Sequence, residues 1–349
     1  MTPPIPDLPR GPRPAIRVGH YLATMPNGVF GDPLLHIRLA HHKRSLLVDF
    51  GEGQKLPARI AHQVTDVLIT HAHADHITGL LSFIRSRIGE WPVCRIYGPP
   101  GIADNVAGLV AGIHWDRAGR RVPRFDVSEL HGTAIRRFFV AGGQREPDLR
   151  EEIAAAGGCL RQDEHLTIRA IELDHLTPVL SFSLEPAANV RVRTDRLAAL
   201  GVDPGPWLTV LKDKLLAGEL DAPIELPTGE IRTASALGDE LCIVEPPQRL
   251  VYATDLADTP SNRDRLCDFA AGAHTLFLEA AFREADIEQA ERTGHLTTRA
   301  CAEIALKSGV GQLIPFHFSR RYEKQAAAVY TEIVGVFPRT VVPAGVDRA

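Results

Sequence analysis

Strand-like and helix-like patterns alternate along most of this chain, which predicts an α/β fold built in layers. Two further observations support that class. Several short apolar runs end in a histidine or an aspartate. One of them, Val67-Leu68-Ile69, opens into Thr70-His71-Ala72-His73-Ala74-Asp75-His76. Sites in layered α/β proteins gather on loops at the carboxyl ends of strands, so the same observations point to a functional edge.

The elements follow in order. Residues 1–14 are proline-rich and lack the apolar core of a signal peptide, so they read as an extended arm. The runs Leu34 to Leu39 and Ser45 to Phe50 flank a polar turn holding His41 and His42, a hairpin pattern with both histidines solvated. The second run meets Asp49 and then a glycine-rich bend. VTDVLIT at 64–70 is a strand, a helix lies near Thr78–Ile88, and CRIYGPPG at 94–101 is another strand and turn. Residues 117–163 fit less regularly and read as a possible insertion. They include Arg117, Arg120, Arg121 and Arg124 with no acid among them, and a helix over 145–158 closed by glycine. Strands then run from Leu166 to His175 and from Val179 to Leu184. Residues 191–226 carry mixed charge and the rigid DPGPW turn at 203–207, the features of a projecting helical arm. Strands at 249–255 and 275–280 precede a helix that starts at Thr297 or Thr298 and stops at Gly309. A final strand, QLIPFH at 312–317, ends in His317.

Composition narrows the classes. With 349 residues, 44% hydrophobic and 23% charged, the chain can bury one large core or two modest ones as a soluble globular protein. No apolar run approaches the roughly 20 residues that cross a bilayer, so a cytoplasmic protein without a membrane partner is expected. Cys94, Cys159, Cys242, Cys267 and Cys301 are scattered without C-x-x-C spacing, which fits reduced thiols and not disulfides or ligands. A net charge of −4 excludes a globally basic nucleic-acid binder and leaves room for a local basic patch.

The loop at 70–76 carries the chemistry. Strand side chains repeat every second residue, so His71 and His73 point the same way. The turn after them swings Asp75 and His76 to a neighbouring position. Imidazoles beside a hard carboxylate suit Zn²⁺, and one loop can serve two ions. His175, Asp255 and His317 are weak signals alone, since polar residues often end strands. Beside this loop they complete a metal-binding constellation.

The set resembles the metallo-β-lactamase superfamily, whose signature is H-x-H-x-D-H followed by a distant His, Asp and His. Within it the chain is similar to the ribonuclease Z branch. The matching blocks are LLVDFGEG at 46–53, ITHAHADHITGLL at 69–81, IYGPPGI at 96–102, ELDHLTPVLSFSLEP at 172–186, ALGVDPGPWLTVLKDKLLAGE at 199–219, VYATD at 251–255, GHLTTRACAEIA at 294–305 and FHFSRRY at 316–322. Ala74 stands where the family favours glycine, and Leu278-Glu279-Ala280-Ala281 keeps the glutamate of the family's H-E-A-T segment without its histidine.

That resemblance implies an αββα sandwich over 15–349, with 191–226 as the substrate-binding arm, and a homodimer. It implies two Zn²⁺, with iron or manganese as alternatives. One ion would be held by His71, His73, His175 and Asp255, the other by Asp75, His76, His317 and the bridging Asp255. Paired ions about 3.5–4 Å apart stabilise the charge that develops on a scissile phosphate. Asp75 is implied as proton acceptor, and His295 as a catalytic histidine that binds no metal and is oriented by Glu279. Asp49 reads as a brace. His20, His36, His114, His131, His165 and His274 read as structural or surface residues.

The implied activity is cleavage of the 3′ trailer from precursor transfer RNA. Arg191, Arg193, Arg196, Lys212 and Lys214 of the arm, with the arginines at 117–124, are available to phosphates. A second reading keeps the two-metal core and replaces RNA by a small phosphodiester, sulfate ester, lactone or carboxylic ester. A third is iron-based redox chemistry, which the arm does not suggest. A non-enzymatic binding protein fits least, because every metal ligand is present.

Overall fold

The computed structural model describes residues 14–19, 21–39, 44–52, 56–344 and 346. The proline-rich arm up to residue 13, His20 and the turn with His41 and His42 lie outside the described residues. The chain divides into two compact units, Met1–Glu185 with Arg249–Ala349, and Pro186–Gln248.

The larger unit contains two sheets. Nine strands, Ala15–Val18, Tyr21–Thr24, Leu35–Leu39, Ser45–Val48, Val64–Leu68, Cys94–Gly98, Arg124–His131, Ala134–Ala141 and Asp148–Ala154, lie side by side in sequence order. The four central ones are parallel and the outer ones antiparallel. The second sheet orders Cys159–Gln162, Leu166–Asp174, Pro178–Pro186, Leu250–Ala253, Thr275–Glu279 and Gln312–Phe316. Its last three strands are parallel, with Ala253, Leu278 and Pro315 in register, so their carboxyl ends share one edge.

Alternation along the strands builds the layers. Leu46, Val48 and Leu68 join Phe182, Leu184, Tyr252 and Phe277 of the second sheet in one buried core. Their neighbours Leu47, Val67 and Ile69 turn to the opposite face. There they meet Leu80, Phe83 and Ile84 of the helix Leu80–Ser86 and Ile102, Val106 and Val110 of the helix Ile102–Ala111. Helices Pro260–Ala270 and Thr298–Lys307 contact the second sheet, and Ala326–Val336 packs on Thr298–Lys307. Helix, sheet, sheet, helix is the layering expected. The hairpin also forms, with Leu35 opposite Val48. The helix Thr298–Lys307 starts as predicted, Thr297 Oγ1 accepting from the Ala300 amide at 3.1 Å.

One element departs from expectation. Residues 145–158 do not form a helix. Asp148–Ala154 is an edge strand paired antiparallel with Ala134–Ala141. Cross-strand ion pairs, Arg136–Glu152 at 2.8 Å and Arg137–Glu151 at 2.6 Å, use the charges that a helix would have presented to solvent. Gly158 has φ +69°, and a Cβ there would lie 2.1 Å from the Ala170 carbonyl oxygen. The glycines therefore make the crossing into the second sheet and do not cap a helix. Residues 117–163, read as a possible insertion, supply strands to both sheets.

The smaller unit has its own core of Val190, Leu197, Trp207, Leu211, Ile224, Leu237 and Leu241. Helices Thr194–Leu200, Pro206–Leu216 and Ala234–Leu241 surround two strand pairs, Asn189–Val192 with Cys242–Glu245 and Pro223–Glu225 with Ile231–Thr233. It encloses the predicted arm 191–226 and continues beyond it. Several of its cations are internally paired: Arg191 with Glu245 at 2.9 Å, Lys214 with Glu219 at 2.5 Å. All five cysteines are free thiols. No helix among the described residues is long and apolar enough to cross a membrane.

Candidate metal centre

Four strand ends of the larger unit converge. After Val64–Leu68 the chain runs through Thr70 and His71 into the short helix Ala74–Ile77, which carries Asp75 and His76. His175, Asp255 and His317 follow strands of the second sheet. Asp49, Asp255 and His317 have φ of +58°, +52° and +58°. Aspartate and histidine enter this left-handed region more readily than most residues, and there each turns its side chain sharply at a strand end.

Two ligand sets share one carboxylate. Ligand atoms of His71, His73, His175 and Asp255 lie within 4.8 Å of one another, as do those of Asp75, His76, Asp255 and His317. Asp255 Oδ2 is 2.7 Å from His76 Nε2 and 3.3 Å from His71 Nε2, and Oδ1 is 3.0 Å from His317 Nδ1. Asp75 Oδ2 stands 3.5 Å from both His76 Nε2 and His317 Nε2. His71 Nε2, His76 Nε2 and His317 Nδ1 are buried, yet none makes a hydrogen bond. Buried polar atoms are rarely left so, and three ring nitrogens aimed at one carboxylate fit cations seated among them.

The electrostatics agree. Burial, helped by His76 and the other imidazoles, pushes His71 down to about 3 against the pull of Asp255. A neutral ring is the form that ligates metal. Burial would raise Asp255, but His317 and His76 hold its carboxyl well below the ordinary range. Asp75 is likewise held low by the neighbouring His317 and His76 imidazoles, against burial. Burial opposes charge on His76 and His317, yet Asp255 lifts both far above the usual histidine range. The carboxylates draw positive charge to this spot in whatever form it arrives.

A third group, Asp255, Glu279, His295 and His317, also clusters within 4.8 Å. Within it His295 and Glu279 form a hydrogen-bonded pair. Glu279 is fully buried; Oε1 accepts from the Leu256 amide at 2.7 Å and Oε2 receives His295 Nδ1 at 2.8 Å. Burial would lower His295, but the Glu279 charge and hydrogen bond raise it.

Residues 37–146 match the metallo-beta-lactamase superfamily model. A ribonuclease Z of Deinococcus radiodurans is 33% identical over 284 residues, 80% of this chain and 83% of that one. The chain belongs to the ribonuclease Z branch of the metallo-β-lactamase superfamily. It is a metal-dependent hydrolase. A ribonuclease Z of Bradyrhizobium diazoefficiens is 29% identical over 93% of this chain and 96% of its own length. The fold is shared with the metallo-beta-lactamase fold protein YhfI of Bacillus subtilis, at 14% identity, TM-score 0.52 and 90% coverage of both chains.

Every residue singled out for the site lies in this cluster. Asp49 is the brace expected: its carboxylate accepts from the Thr70 amide at 2.8 Å and Oδ2 lies 3.0 Å from His76 Nδ1. Sequence reasoning missed three supporting groups. Thr70 Oγ1 lies 3.1 Å from His71 Nδ1, and the Tyr252 hydroxyl donates to Asp49 at 3.2 Å. The Gly294 carbonyl accepts from His175 Nδ1 at 2.7 Å, fixing which nitrogen faces the site. Thr70 beside the histidines was a usable signal. The Gly294 carbonyl had none, because 119 residues separate it from its partner.

Proposed function

We propose that this enzyme is a two-zinc phosphodiesterase that removes the 3′ trailer from precursor transfer RNA. The observation that carries the reading is the pair of ligand sets joined at Asp255 beside the His295–Glu279 hydrogen bond, in a chain related to ribonuclease Z along most of its length. His71, His73, His175 and Asp255 would hold one ion, and Asp75, His76, Asp255 and His317 the other. When bound, such ions polarise a phosphoryl oxygen and acidify water.

The chain's own groups do the rest. Asp75 is the half-exposed carboxylate of the cluster and accepts the proton of the attacking water. His295 gives Nδ1 to Glu279, which leaves Nε2 to pass a proton to the departing oxygen. Glu279, locked by the Leu256 amide, sets that ring's orientation and charge. Arg117, Arg120, Arg121 and Arg124 are exposed and suit phosphate contacts, and the smaller unit is the candidate RNA-binding arm. A homodimer acting in the cytoplasm belongs to the same reading.

A small-molecule hydrolase is the second reading. The internal ion pairs of Arg191 and Lys214, with the net charge of −4, favour it. Zinc-loaded protein and a His295→Ala control, assayed on precursor transfer RNA and on bis-p-nitrophenyl phosphate, separate the two. Cleavage after the discriminator base that the control lacks supports the RNA reading. Turnover of the small diester alone overturns it.

A further inference from the structure

Among the described residues, four that are not glycine have positive φ: Asp49, Leu176, Asp255 and His317. Three have evident polar tasks at the metal centre. Asp49 braces Thr70 and His76, while Asp255 and His317 belong to the ligand sets. Leu176 does not fit this pattern. Its φ is +61°, a conformation that costs a leucine stability, and the residue is 77% exposed, so little burial offsets that cost.

Its position is equally specific. Leu176 follows the ligand His175 directly. It flanks Gly294, where a Cβ would lie 3.1 Å from His175 Nδ1 and 3.7 Å from Leu176 Cγ. His295 comes next in the chain, its ring centroid 4.9 Å from that of His175. The strained leucine therefore stands on the rim between the first ligand set and the proton-donating histidine, with its apolar surface turned to solvent.

We propose that Leu176 is a specificity-determining contact, an apolar platform for the base of the nucleotide whose phosphate is held at the metal centre. The turn that joins Leu166–Asp174 to Pro178–Pro186, closed by the His175 amide donating to the Thr177 carbonyl at 3.0 Å, asks for left-handed backbone but not for leucine; an exposed apolar side chain held there, beside a ligand, points to a contact made with something outside the chain. A nucleobase suits it: the base offers a flat apolar face at short reach from the phosphate. The inference rests on the phosphodiesterase reading for the seat of the phosphate.

The test compares adenosine 5′-monophosphate with inorganic phosphate, each binding to zinc-loaded protein by calorimetry. The wild-type protein is expected to prefer the nucleotide about tenfold. Leu176→Asn, whose side chain tolerates left-handed backbone, is expected to lose that preference while keeping its phosphate affinity, and to melt at the same temperature or about 1–3 °C higher. Leu176→Met keeps the preference. Equal affinity for both probes in the wild-type protein overturns the proposal, as does a nucleotide preference that survives in Leu176→Asn. A melting point several degrees lower would assign the leucine a structural role instead. Failure of zinc-loaded protein to turn over either precursor transfer RNA or bis-p-nitrophenyl phosphate overturns the phosphodiesterase reading alone, since the affinity ratio decides Leu176 without turnover.

Discussion

Replacing Glu279 by glutamine removes one charge from the site and keeps its shape. The side chain is fully buried, and its two oxygens are committed to the Leu256 amide at 2.7 Å and to His295 Nδ1 at 2.8 Å. A hydrogen bond to a charged group contributes about 1.5–3 kcal/mol, against about 0.5–1.5 kcal/mol for a neutral pair. Glutamine's single carbonyl oxygen can serve only one of these two donors, so the substitution withdraws at least about 1–1.5 kcal/mol from protonated His295, a roughly tenfold or larger fall in its protonated fraction where it titrates. Because Glu279 raises His295 against burial, the pair's stability is fully present below the ordinary histidine range. It is lost as pH rises through the elevated value. The assay is a pH–rate profile of bis-p-nitrophenyl phosphate hydrolysis by metal-loaded protein. In Glu279→Gln the alkaline limb moves to lower pH and the rate on that limb drops about tenfold or more. His295→Ala loses the limb and about 10²–10⁴-fold in rate. A limb that stays in place in Glu279→Gln would refute the reasoning and leave Glu279 as a brace for Leu256.

Three further outcomes are expected. Asp66 is fully buried and meets Arg44 at 3.2 Å, Arg95 at 2.7 Å and Arg161 at 2.5 Å, so Asp66→Asn should cost about 3 kcal/mol in urea unfolding at neutral pH. Burial would raise that carboxyl, but Arg95 and its neighbours hold it well below the ordinary range. Its contribution is therefore present above the ordinary carboxylate range and lost as pH falls through the depressed value; an unfolding midpoint unmoved by the substitution contradicts this. Asp255→Asn, altering the carboxylate common to both ligand sets, should lower bound metal from about two ions per chain to one or fewer by elemental analysis. Unchanged metal content would remove Asp255 from the ligands. Gly294→Ala places a Cβ 3.1 Å from His175 Nδ1 at φ +70°, so it should cost about 1 kcal/mol in thermal unfolding and weaken metal binding about tenfold in chelator competition.

The site was legible because its chemistry is local in two senses. The loop at 70–76 packs four candidate ligands into six residues, and the other candidates each end an apolar run whose pattern announces a strand. Glu279 and His295 came from the resemblance, and the structure joins them at 2.8 Å. What stayed hidden depends on partners far along the chain. The segment 145–158 is rich in helix formers, yet Arg136 and Arg137 of the adjacent strand supply ion pairs for Glu152 and Glu151, and pairing overrides propensity. The left-handed backbone at Leu176 was equally invisible, because nothing in leucine favours it.

The candidate seat of the ions also has a mechanical meaning. His71, His73, Asp75 and His76 follow a strand of one sheet, whereas His175, Asp255 and His317 follow strands of the other. Cations gripped from both sides would act as rivets through the sandwich, drawing together loops spaced hundreds of residues apart. Stripping them should loosen the seam between the sheets before it disturbs either sheet. Amides facing the shared core would then exchange with solvent faster than those beneath the outer helices. On this view the catalytic apparatus doubles as the fastening of the fold, and scarcity of metal would silence the enzyme and shorten its lifetime together.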